Sequence, residues 1–76
     1  MEQKIFEIVS QIMGVPLESV TLASSAENIP TWDSLKHMNL VLALEQTFDI
    51  HFSEEQIVEL TRVETIQAVV GKLVGP

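Results

Sequence analysis

TWDSLKHMNLVLALEQTF, residues 31–48, is the stretch on which the fold turns. From Leu35 onward its apolar residues recur at helical spacing, with no sustained alternation. Directly before them stand Asp33 and Ser34, both of residue types whose side-chain oxygens accept from the free N–H groups of a helix start. The spacing predicts a helix over 34–48, ending near Phe48-Asp49. Asp33 holds the better cap position. Ser34 lies one step inside, so a capping role for it is partly redundant.

Working outward, residues 2–13 place Ile5, Ile8, Val9 and Ile12 on one helical face. Gly14 offers a left-handed stop, and Pro16 follows. Ser53-Glu54-Glu55-Gln56 has the form of a capping box and opens a short helix of about 53–60, carrying Ile57, Val58 and Leu60. Thr61-Arg62-Val63-Glu64 offers a second such box. After it Ile66, Val69, Val70 and Leu73 repeat the apolar face to about residue 74. Residues 14–33 form an unusually long connection. Leu17, Val20, Leu22, Ile29 and Trp32 are spaced along it as anchors, which predicts that it wraps the helices. The expected fold class is all-α: a small four-helix bundle of three main helices and a short third, with a long loop between helices 1 and 2. Residues 1–76 read as a single domain.

Composition narrows the function. The chain has no cysteine, which excludes disulfides, thiolate zinc sites and a thiol nucleophile of its own. A hydrophobic share of 46% argues for a packed domain rather than disorder. No apolar run reaches the ~20 residues of a membrane span. The N-terminal residues lack a basic, apolar signal pattern, and the expected setting is the cytoplasm. Eleven acids face four bases, for a net charge of −7. That balance disfavours nucleic acid and anionic membrane, which are bound through Lys and Arg. It favours basic protein partners, or serves solubility alone.

Ser34 admits three readings. It can be a structural residue of the helix start. It can be a nucleophile with His37 as base and Asp33 as orienter, although three residues within one helical turn radiate from a common axis and no oxyanion loop is visible. It can be an attachment point, since a helix N-terminus favours a phosphate and its hydroxyl would project outward. His37 and His51 otherwise read as boundary and loop residues, with no third metal ligand at a typical spacing.

Asp33-Ser34-Leu35, followed by NLVLALEQTFDIHF and set in a small acidic helical chain, resembles the acyl carrier proteins. The similarity runs from the first helix and its Gly-Val ending, through the long loop and the Asp-Ser-Leu turn, to the last helix. The three-residue motif is weak alone and strong in register with ALEQTF. Asp33 and Leu35 favour the acyl branch over the peptidyl and D-alanyl carriers. The resemblance implies a non-catalytic carrier with 4′-phosphopantetheine on Ser34, transferred from coenzyme A by a phosphopantetheinyl transferase. Asp33 would cap helix 2 and present Ser34 to that enzyme. Acyl groups would then travel as thioesters between acyl-loading and acyl-accepting enzymes of fatty acid, polyketide or other specialised biosynthesis. A monomer is expected. The competing reading is an acidic helical interaction module that carries nothing.

Helix 2 sets Leu35, Met38, Val41, Leu42, Leu44 and Phe48 in one wide arc. That arc can line a space able to accept an acyl chain, although a simply packed core is expected of the unloaded protein. The other arc holds Lys36, Asn39, Ala43, Gln46 and Thr47. Fatty acid carriers usually show acids there, and this chain does not. The departure points to a specialised carrier, with Leu35, Lys36, Met38 and Asn39 as the partner-binding positions. Trp32 is expected to pack the loop on the bundle, or to touch the prosthetic arm with an exposed edge.

Overall fold

A computed structural model describes residues 2–75. Among these residues there are four α-helices and one short 3₁₀ turn. They are α1 (Glu2–Met13), η1 (Leu17–Ser19), α2 (Ser34–Phe48), α3 (Glu54–Glu59) and α4 (Val63–Val74). The expected all-α bundle with a minor third helix is the architecture found. Among the described residues the only sheet-like element is an isolated bridge between Ser25 and Arg62.

Each helix end has a visible cause. Gly14 adopts φ 69° and closes α1, with its N–H on the Ser10 carbonyl at 2.9 Å. Asp49, at φ 54° and ψ 54°, turns the chain left-handed after α2. The Ser53–Gln56 capping box is fully formed: Gln56 N–H donates to Ser53 Oγ at 3.1 Å and Ser53 N–H to Gln56 Oε1 at 2.9 Å. The second anticipated box does not form. Arg62, not Thr61, is the cap residue of α4, and it makes no side-chain cap bond. The free N–H groups of that helix start are instead taken by the long loop. Val63 N–H donates to the Ser24 carbonyl at 2.9 Å and Glu64 N–H to the Leu22 carbonyl at 3.1 Å. A backbone acceptor supplied from elsewhere in the chain makes a side-chain cap unnecessary.

The core sits where α1 meets both α2 and α4. Ile5 and Val9 of α1, Leu40 and Leu44 of α2, Leu60, and Ile66 and Val70 of α4 are wholly enclosed. The loop contributes Val20, Ile29 and Trp32, as expected of anchors, while Leu17 and Leu22 remain exposed. Leu17 is held outward by the unanticipated 3₁₀ turn, and Leu22 supplies a carbonyl rather than a side chain.

The α2 arc needs correction. Val41 and Leu44 are buried, but Leu35, Met38 and Leu42 are exposed, and Leu40, absent from the expected arc, is fully buried. The helix is apolar on more than one side, so periodicity alone could not say which stripe the neighbours cover. Val58 of α3 is exposed in the same way.

Candidate functional site

The site is built at the start of α2. Asp33 has extended backbone angles (φ −105°, ψ −174°), and its carboxylate accepts the Lys36 N–H at 2.8 Å. Its carbonyl begins the helical ladder, accepting the His37 N–H at 2.8 Å. The cap is therefore made by Asp33. Ser34 is the first helical residue and is exposed, so its hydroxyl stands free of that task at the positive end of a fifteen-residue helix.

Beside Ser34 lies a surface pocket of about 460 Å³. Trp32, Asp33, Ser34, His37 and Met38 line it from the start of α2, Val58 from α3, and Ala26 and Thr61 from the adjoining loops. The pocket is on the outside. Leu40, Val41 and Leu44 of the same helix are 0–1% exposed and belong to the buried core cluster rather than to the pocket lining.

Trp32 is 6% exposed. It packs the loop on the bundle, and it also donates its indole N–H to His37 Nδ1 at 3.0 Å. The other imidazole nitrogen lies 2.7 Å from the Ile57 carbonyl of α3. Both His37 nitrogens are thus occupied and cannot take a proton from Ser34. The Asp33 carboxylate accepts the Lys36 N–H through Oδ1 and does not bond the His37 ring, so no base–orienter pair stands behind Ser34. His37 is a boundary residue, as its place in the sequence suggests, but the bridge it makes joins residues 5 and 20 positions away and has no local signature. The signal available was the need of a buried Trp N–H for an acceptor. Among the described residues no cluster of metal-ligating side chains occurs.

The four positions expected to face a partner are accessible in the structure. Leu35, Met38 and Asn39 are exposed and Lys36 is partly so. Leu42 of α2 and Val58 of α3 add further exposed apolar side chains. Glu45, the one acid of α2, is turned inward: its carboxylate accepts the Phe52 N–H at 2.9 Å. The outward face of α2 consequently carries Lys36 and no uncommitted acid, although the chain as a whole is at −7.

Residues 3–71 match the phosphopantetheine attachment site family. An acyl carrier protein of Buchnera aphidicola subsp. Schizaphis graminum is 33% identical over 63 residues, covering 83% of this chain and 80% of that protein. An acyl carrier protein of Buchnera aphidicola subsp. Baizongia pistaciae is 32% identical over 73 residues, covering 96% and 94%. No helix among the described residues is long and apolar enough to cross a membrane. An accessible serine hydroxyl on a helix end that favours a phosphate suits the prosthetic group the family implies. The chain belongs to the acyl carrier proteins, carriers rather than catalysts, whose prosthetic group is 4′-phosphopantetheine.

Proposed function

We propose that Ser34 is the residue that bears the 4′-phosphopantetheine arm, and that the chain is a specialised carrier rather than the housekeeping carrier of fatty acid synthesis. The observation that carries the first part is the division of labour between Asp33 and Ser34. The carboxylate caps α2, so the hydroxyl is exposed and uncommitted. In the presence of coenzyme A and a phosphopantetheinyl transferase, Ser34 Oγ attacks the phosphate next to the pantetheine, and adenosine 3′,5′-bisphosphate leaves. Asp33 keeps the first turn of α2 rigid during that encounter. Once attached, the arm supplies a thiol that the cysteine-free chain lacks, and thioester-bound acyl groups reach partner active sites at high effective concentration.

The second part rests on the face of α2. Leu35, Lys36, Met38 and Asn39 follow Ser34 along the first turns of α2 and are the surface a partner enzyme meets first. That surface is apolar with one cation, so it favours partners whose docking patch is apolar or mildly acidic. We take the protein to be a cytoplasmic monomer serving fatty acid, polyketide or other specialised biosynthesis. The decisive experiment is a mass spectrum after incubation with coenzyme A and a broad-specificity transferase. One phosphopantetheine is gained by the wild type and none by Ser34→Ala. A wild type that gains nothing leaves the interaction-module reading standing.

A further inference from the structure

An indole from the loop and a carbonyl from α3 meet on the two nitrogens of one imidazole. Trp32 Nε1 can only donate, and it points at His37 Nδ1 from 3.0 Å. The Ile57 carbonyl can only accept, and it lies 2.7 Å from His37 Nε2. These partners leave one arrangement: Nδ1 bare, Nε2 protonated, ring neutral. Ile57 stands near the end of α3, where carbonyls lack helical donors. From within its own segment it receives only the Leu60 N–H, at 3.3 Å. His37 therefore caps α3 from α2 and braces Trp32 at the same time.

We infer that His37 is a positioning residue that holds Trp32 in the wall of the Ser34 pocket only while its ring is neutral, so that one protonation frees the indole and leaves α3 held. A proton on Nδ1 would confront the Trp32 N–H donor to donor, at the positively polarised edge of the indole. The bond from Nε2 to Ile57 survives, because that nitrogen already donates and a charged donor bonds a helix-end carbonyl more strongly. The response is thus one-sided. The charged residues on the elements that meet His37 are Asp33 and Lys36 at its own helix start, Glu54, Glu55 and Glu59 on α3, and Glu27 and Arg62 in the adjoining loops. None of them forms an ion pair with His37 among the described residues, and the Asp33 carboxylate accepts the Lys36 N–H through Oδ1.

The consequence for cargo rests on the carrier reading, because the freed indole would open the pocket where the arm begins. The test does not. It uses the full, unmodified chain with nitrogen-15 labelling, and compares about pH 8 with about pH 5, across the range where histidine side chains titrate. The expected result is the Nε2–H tautomer at the higher pH. On acidification the protection of the Trp32 indole N–H should fall roughly tenfold, the loss of one hydrogen bond, together with a change in tryptophan fluorescence. The protection of the Leu60 amide should stay. His37→Gln, of similar reach and without a titrating ring, should abolish the pH response of Trp32. His51→Asn should keep it, since His51 is on the surface beside Glu45. An Nδ1–H tautomer, a Trp32 response that persists in His37→Gln, or a loss of Leu60 protection in step with the indole would each overturn the inference. Failure to accept phosphopantetheine would overturn only the carrier assignment of Ser34.

Discussion

The Asp33 carboxylate accepts the Lys36 N–H at 2.8 Å, and the residue between them that could have done so, Ser34, is left exposed. Capping and the proposed modification are separable on this helix. Asp33→Ala should lower stability by about 1 kcal/mol through the lost cap and slow modification by blurring the first turn. Ser34→Ala should stay within about 0.5 kcal/mol of wild type while accepting no prosthetic group. Chemical denaturation and mass spectrometry on the two variants check both halves.

Two Ser/Thr boxes stand in the sequence, and one operates. Ser53→Ala should cost about 1 kcal/mol, because Ser53 Oγ holds the Gln56 N–H at 3.1 Å. Thr61→Ala should stay within about 0.5 kcal/mol, because α4 takes its acceptors from the Ser24 and Leu22 carbonyls. Equal losses in thermal denaturation would mean that Thr61 caps α4 after all.

Glu45 is the acid that α2 spends on structure. It ties the helix end to the segment before α3 through the Phe52 N–H at 2.9 Å. Glu45→Ala should destabilise by about 1–3 kcal/mol, leaving a part-buried donor unpaired. Glu45→Gln retains an acceptor and should lose less. His51, 4.0 Å from the same carboxylate with a side chain 96% exposed, should be replaceable with little effect on stability.

Apolar residues of α2 divide into two kinds that one experiment separates. Leu40→Ala and Leu44→Ala remove fully buried side chains and should cost about 2–5 kcal/mol each, a large part of the stability of so small a domain. Leu35→Ser, at a position 70% exposed, should leave unfolding within about 0.5 kcal/mol and impair transfer to the partner enzyme. Lys36→Glu with Asn39→Glu should also leave the fold intact, weaken the native partner and improve loading by generic fatty acid enzymes. Unaltered partner kinetics in all three would argue against this face as the docking surface.

Much of this could be read from residue order because the causes are local. The bounds of α1 and α2 follow from Ile5, Ile8 and Val9 repeating on one face, and from Asp33, Gly14 and Asp49 as punctuation. What could not be read depends on partners distant along the chain. No local rule announces that Ile57 will receive His37, or that the Leu22 carbonyl will replace Thr61. The side of α2 that is covered is likewise decided by the neighbouring helices, which is why residue order alone leaves Leu40 out of the arc and puts Leu35, Met38 and Leu42 into it. At Ser34 the local chemistry left three readings open. The family register favoured one of them, and the geometry of His37 removed another.

The pairing of Ser25 with Arg62, and the loop carbonyls on the first turn of α4, bear on how the chain comes to be folded. A helical protein of this size can usually assemble from near-neighbour contacts at great speed. Here the last helix finishes its first turn only when a segment from the opening third of the chain has closed against it. The entropy of that closure falls on the transition state. Folding should therefore be slower than helix content suggests. The loop and the first turn of α4 should also exchange their amide hydrogens as one cooperative unit.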